Sequence, residues 1–277
     1  MKDSGRSNDW YPTISKTYNS RQRANWYSEA AQAYDRHRPR YPQEICDRTI
    51  ELSRLQDAAK VLEIGCGPGI ATVEFARRGF SMVSLEPSAA AWELAKNNCQ
   101  QYQNVKVINT TFEAYTLETT FDAVVAATSF HWLAPEIRYQ KTAAALKDGG
   151  FLILLWNTPP QPNETVCQCM EAAYQSHAPE LKIAEQIAIY RQNLERIGEA
   201  VINSGYFENL VADYVVCDVT YSVESYIGML STLSPYIMLQ AERREALFAE
   251  LKQVLTDNYG GNLALSYLSL FQVARKK

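Results

Sequence analysis

Val61-Leu62-Glu63-Ile64-Gly65-Cys66-Gly67-Pro68-Gly69 is the stretch that decides the fold. A short apolar run, of the kind that forms a buried strand, ends in three glycines within five residues, and a helical pattern follows. Glycine after a buried strand permits positive φ and lets backbone approach a ligand closely. A plain β–α turn needs no such concentration, because each glycine costs chain entropy on folding. Two phosphate-binding loops are excluded by the spacing. The dinucleotide pattern G-x-G-x-x-G wants glycine where Ile70 stands, and Pro68 removes a backbone N–H that a pyrophosphate would use. A P-loop requires Gly-Lys-Ser/Thr, which is absent. The loop therefore suits a ligand without a phosphate.

Glu86 extends this reading. It ends the next apolar run, Val83-Ser84-Leu85-Glu86, about 20 residues past the glycines. A carboxylate there can accept hydrogen bonds from both hydroxyls of a ribose. Loop and acid together point to an adenosine-type ligand.

Around this pair the chain alternates strand and helix. Lys60–Ile64, Ser81–Glu86, Val105–Ile108, Phe121–Ala127 and Phe151–Trp156 read as strands. Helices are expected between them, one capped by Ser88 and one opened by Pro135 and ending near Lys147. This spacing predicts an α/β fold with a doubly wound, Rossmann-like parallel sheet. Ahead of it, residues 1–19 are polar and are expected to be a flexible N-terminus. Residues 20–58 read as two helices forming a lid, the first with Trp26, Ala30, Ala33 and Tyr34 on one side, the second opened by Pro42. Residues 59–157 would be the ligand-binding core, and 158–277 a helical cap plus the remaining strands, near Phe207–Cys217 and Asn262–Ala274. Asn157–Asn163, with three prolines, reads as a loop.

Composition narrows the partners. The 277 residues carry a net charge of −4, so no long-range attraction draws the chain to phosphate backbones or anionic lipid. The six cysteines show no zinc spacing, and no metal is expected. No apolar run reaches the ~18 residues of a membrane span, and the polar start lacks a secretion signal, so a cytoplasmic location is expected. The expected partner is a small molecule, with no nucleic acid and no membrane, and the chain a monomer or homodimer.

The segment 24–157, with its glycine motif, its strand-end acid and Thr128-Ser129-Phe130-His131-Trp132-Leu133, resembles the class I S-adenosylmethionine (SAM) dependent methyltransferases of the type 11 branch. The resemblance implies a seven-stranded sheet, mostly parallel with an antiparallel last strand, and helical cap insertions. It implies that Gly65, Cys66, Gly67 and Gly69 form the SAM loop, with Glu63 near the amino group of the cofactor. Glu86 would hold the ribose, with Pro87 and Ser88 beside the adenosine. Thr111-Phe112-Glu113 matches the adenine position, although many relatives carry Asp where this chain has Glu113. Ala127 and Thr128 would give backbone contacts to the methionine. Tyr34 and Arg38, in the lid sequence Tyr34–Pro42, would stand near the sulfonium and the methionine carboxylate.

For the reaction itself, His131 follows strand four on the rim where open α/β sheets bind ligands, which makes it the candidate proton acceptor; a packed histidine orienting the loop is the other reading. Trp132 walls the substrate pocket or belongs to the core. Tyr221, Tyr226, Tyr236, Tyr259, Tyr267 and Phe271 recur among leucines and methionines, either as an apolar pocket for the acceptor or as core. Tyr236 is the candidate substrate contact among them. The expected activity is methyl transfer from SAM to a small-molecule carboxylate or hydroxyl. A SAM-binding regulatory protein without catalysis is the alternative, and a nicotinamide oxidoreductase is opposed by Pro68 and Ile70.

Overall fold

The core strands are built from residues that bury both faces. Lys60–Ile64 (β1) is exposed only at Lys60. Val61 packs on one side of the sheet, with Met82, Val125 and Ile153, while Leu62 and Ile64 pack on the other, with Leu85, Val124 and Leu154. Period-two alternation with apolar residues on both sides is the pattern of a parallel strand covered by helices on both faces. The computed structural model describes the backbone of residues 20–277 and side chains from residue 28 onward. The expectation for residues 1–19, and the side chain of Trp26, lie outside the described residues.

Two helices precede the sheet, Ser20–His37 (α1) and Gln43–Ser53 (α2). Then follow Ile70–Ala76 (α3), Ser81–Leu85 (β2), Ala89–Cys99 (α4), Val105–Ile108 (β3), Phe121–Ala127 (β4), Pro135–Ala145 (α5) and Leu146–Asn157 (β5). The remaining elements are Gln161–Pro162 (β6), Glu164–His177 (α6), Ile187–Asn203 (α7), Phe207–Ser222 (β7), Val223–Leu230 (α8), Ser234–Ile237 (α9), Ala241–Tyr259 (α10) and Asn262–Lys276 (β8). The sheet order is β3-β2-β1-β4-β5-β8, with β7 on the far edge of β8 and the two-residue β6 beside β8 past the end of β5. β8 runs antiparallel to its neighbours and the core strands run parallel. The mixed α/β sheet with one antiparallel strand is the Rossmann-like arrangement that the resemblance implies.

Three local boundaries differ from the sequence reading. The helix before β5 stops at Ala145, and β5 starts at Leu146 because Leu146 already pairs with Phe121. The register then shifts before Ala123, with Gly149 at φ 72° in the irregular stretch. β7 continues to Ser222, since Val219 and Tyr221 stay paired with Leu265 and Leu263. The proline-rich stretch after Asn157 contains β6, where Gln161 pairs with Ser266.

The far ends of β7 and β8 support a separate apolar cluster. Leu263 and Leu265 pack with Met170 and Tyr174 of α6, Tyr226 and Met229 of α8, and Leu251 of α10. Of these helices α8 reaches the cavity beside the glycine loop, through Tyr226, Met229 and Leu230, and α7 and α9 join it there. Among the described residues, no helix is long and apolar enough to cross a membrane.

Candidate functional site

At the end of β1 the backbone turns through Gly65 at φ 64° and Gly67 at φ 56°. A Cβ on Gly65 would sit 2.9 Å from the Ser129 Cβ, so this position is closed to any side chain. A Cβ on Gly67 would meet nothing within 4 Å, and the residue faces a cavity. The Cys66 amide donates to the Leu85 carbonyl (3.0 Å), tying the loop to β2.

Glu86 fixes the loop from the other side. Its Oε2 accepts from the Gly67 amide (2.8 Å) and its Oε1 from the Ser88 amide (2.8 Å). The carboxyl is buried, and burial pushes its pKa up to about 7 against the opposing effect of those two amides. Each oxygen keeps a further lone pair for a donor from the cavity it lines. A nucleoside ribose fits this donor-poor, acceptor-rich point, and the open space at Gly67 fits backbone-close approach of a ligand.

Glu63 is fully buried beneath the loop. Its Oε2 accepts from Thr72 Oγ1 (2.5 Å) and Ser84 Oγ (3.1 Å), strapping α3 and β2 to β1, while Oε1 has no partner among the described residues. Burial lifts its pKa to about 7, with a smaller contribution from the nearby Glu86 charge. Glu63 is not among the residues that line the cavity. Gly69 and Ser88 also stand off the wall. Gly69 turns into α3 at φ 89°, and Ser88 Oγ accepts from the Ala91 amide (3.3 Å) as the cap of α4.

The other residues read from the sequence do line one cavity of about 620 Å³: Tyr34, Arg38, Cys66, Pro87, Thr111, Phe112, Glu113, Ala127, Thr128, His131, Trp132 and Tyr236 with Gly65, Gly67 and Glu86. Phe112 is buried beneath the Lys141 ammonium, which lies 5.3 Å from its ring centre. Glu113 Oε1 accepts from the Ala134 amide (3.2 Å). His131 sits in the short 3-10 helix Phe130–Trp132, with ring centres 4.7 Å from Trp132 and 5.7 Å from Trp156. Of the C-terminal aromatics, Tyr226 and Tyr236 reach the cavity, while Tyr259, Tyr267 and Phe271 pack elsewhere.

Two participants, Tyr41 and Asn157, are missing from the sequence reading. Thr128 holds φ 56°, a costly conformation for a β-branched residue, at the mouth of β4. It is held by Tyr41, whose hydroxyl meets Thr128 Oγ1 at 2.8 Å, and by its own amide donating to the Leu155 carbonyl (2.7 Å). Asn157 Nδ2 donates to the Pro39 and Arg40 carbonyls (3.0 and 3.2 Å), fastening the lid segment to the end of β5. Arg38 adds Nε to Thr232 Oγ1 (2.7 Å) and lies 4.9 Å over the Tyr34 ring. The lid is thus clamped to the sheet by Tyr41 and Asn157 and to the cap by Arg38. Tyr41→Phe is expected to cost about 1 kcal/mol of stability through the lost hydrogen bond, read as a shifted urea midpoint at constant slope.

Sheet order, glycine turn and strand-end acid form the Rossmann-like frame that the resemblance implies. Residues 61–150 match the methyltransferase domain family. An uncharacterized methyltransferase of Mycobacterium tuberculosis is 31% identical over 132 residues, which cover 48% of this chain and 52% of that protein. This chain thus spans about half the length of the mycobacterial relatives it matches. Among solved structures, a provisionally assigned type II methyltransferase from Anaeromyxobacter dehalogenans superposes with a TM-score of 0.61 at 17% identity, over 87% of this chain and 97% of that one. The phosphoethanolamine N-methyltransferase 2 of Haemonchus contortus, solved with phosphomonomethylethanolamine and S-adenosylhomocysteine, gives 0.50 at 14% identity, over 90% of this chain and 57% of that one. Residues 61–150 are thus similar to the methyltransferase domain family, in line with the resemblance read from the sequence.

Proposed function

We propose that this protein transfers a methyl group from SAM to a small-molecule acceptor. The observation that carries the reading is one continuous cavity, which runs from the Gly67–Glu86 cradle past His131 and Trp132 into a chamber under the cap. A protein that only sensed SAM would need no second chamber. Glu86 would accept from the ribose, the backbone of Gly65–Gly67 and Ala127–Thr128 would hold the methionine part, and Thr111–Glu113 would border the adenine. Arg38 faces the methionine carboxylate, and a planar guanidinium suits that partner. The bound cofactor supplies an electrophilic methyl group, so the protein's task is alignment and exclusion of water. The lid and cap carry out both. His131 takes the proton from a hydroxyl acceptor at its ring nitrogen.

Calorimetric titration with SAM and with NAD tests the cofactor, and NAD binding in the absence of SAM binding would sink the reading. A metabolite-extract screen for label from methyl-tritiated SAM tests the transfer. His131→Ala is expected to lower turnover about 100-fold while SAM affinity stays within about twofold, the usual span for losing a positioned proton acceptor. Unchanged turnover would return His131 to a packing role.

A further inference from the structure

The chamber under the cap has an unusual charge balance. Its walls are apolar or neutral: Ile189 and Tyr190 from α7, Tyr226 and Met229 from α8, and Tyr236 from α9. Burial pushes the hydroxyls of Tyr190 and Tyr236 up to about 12, so both stay neutral donors at working pH. Tyr236 is held by Tyr174, hydroxyl to hydroxyl at 2.5 Å. Among the described residues, Lys and Arg reach the cavity wall only as Arg38 and Lys182, against the carboxylates of Glu86, Glu113, Glu180 and Glu185. Lys182 is mostly exposed and paired with Glu185 at 2.8 Å. Arg38 lies at the lid, bonded to Thr232, and in the reading above its charge is taken by the cofactor carboxylate. An anionic acceptor would enter a low-dielectric chamber where, among the described residues, no cation besides the engaged Arg38 stands ready to receive it, an arrangement that disfavours binding.

We infer that the acceptor is an uncharged, mostly apolar molecule bearing a hydroxyl, a phenol or lipophilic alcohol, and that carboxylates are excluded. The aromatic and aliphatic walls take its body, and the neutral tyrosine hydroxyls take its polar groups. This inference rests on the methyltransferase reading and names the substrate class of the same site.

A matched pair of dyes tests it on the full-length protein, with and without S-adenosylhomocysteine. Neutral N-phenylnaphthylamine is expected to bind at least about tenfold tighter than its anionic counterpart, anilinonaphthalene sulfonate. para-Hexylphenol is expected to displace it where para-hexylbenzoate does not. Ile189 is only half-buried, so Ile189→Glu should fold; it is expected to weaken the neutral dye by about tenfold or more and leave S-adenosylhomocysteine affinity within about twofold. Ile183→Glu, on the loop before α7, provides a second variant with the same expectation. Preference for the sulfonate or the benzoate, or dye binding untouched by both variants, overturns the inference. Failure of S-adenosylhomocysteine to bind would instead overturn the methyltransferase reading, while the dye preference still judges the chamber.

Discussion

Glu86→Ala is expected to weaken SAM binding by about 1–3 kcal/mol, roughly 5- to 150-fold, because the ribose hydroxyls lose their acceptor and the Gly67 and Ser88 amides lose theirs. The effect carries a pH signature. In the ligand-free protein the Glu86 carboxyl titrates near 7, raised from 4.5 by burial. Its ionised form accepts from the ribose, so SAM affinity should rise from about pH 6 to pH 8 in the parent protein and stay flat in Glu86→Ala. Stability runs the other way. A carboxyl with a raised folded pKa binds more protons folded than unfolded between 4.5 and about 7. Its contribution is fully present below 4.5 and is lost as pH rises through about 7. Glu63, also raised to about 7, has the same sign. Urea midpoints should therefore fall with rising pH in the ligand-free protein, and saturating SAM should oppose the fall. Calorimetry at three pH values decides; equal SAM affinity in the parent and Glu86→Ala would remove the ribose assignment.

Gly65→Val is expected to be the most damaging single change in the loop. A β-branched residue at φ 64° costs about 1–2 kcal/mol in backbone conformation alone. The new Cβ would then press on Ser129 at 2.9 Å, and Ser129 cannot swing away freely because its hydroxyl donates to the Ile64 carbonyl. Overpacking of this kind adds about 1–3 kcal/mol, giving about 2–5 kcal/mol in total. Gly67→Ala is the control: it shares the positive φ but meets open space, so its stability loss should stay near 1 kcal/mol. Chemical denaturation of the two variants side by side checks the contrast. Equal losses would show that conformation alone, without the Ser129 contact, sets the cost.

The parts of this site that were legible in the sequence are those encoded within one β–α unit. Gly65, Gly67 and Glu86 could be read because a strand end, a turn and the next strand end have fixed spacing, and the open sheet puts them side by side. Strand limits were legible where apolar runs met glycine or proline, and failed at Leu146 and Ser222, where cross-strand pairing carries the strand past its local signal. The straps of Glu63 to Thr72 and Ser84 could not be read from its position beside the glycines, since they depend on strand pleat and on the helix beneath. The clamps were hidden for another reason. Tyr41 meets Thr128 across 87 residues, Asn157 meets Pro39 across 118, and Arg38 meets Thr232 across 194. Nothing in the local pattern of either partner announces such a pairing.

The cavity has walls of two different ancestries along the chain. Apart from the lid, the nucleoside end comes from residues between Ile64 and Leu133, and the far chamber from residues between Trp156 and Tyr236. On the proposed function, substitutions in the second stretch would alter what the chamber admits while the first keeps its hold on the nucleoside. Selection can therefore retune the guest one helix face at a time, with each intermediate retaining the donor half. Such a division gives a lineage room to change its chemistry by small steps, and it leaves the family signature silent about which molecule any one member receives.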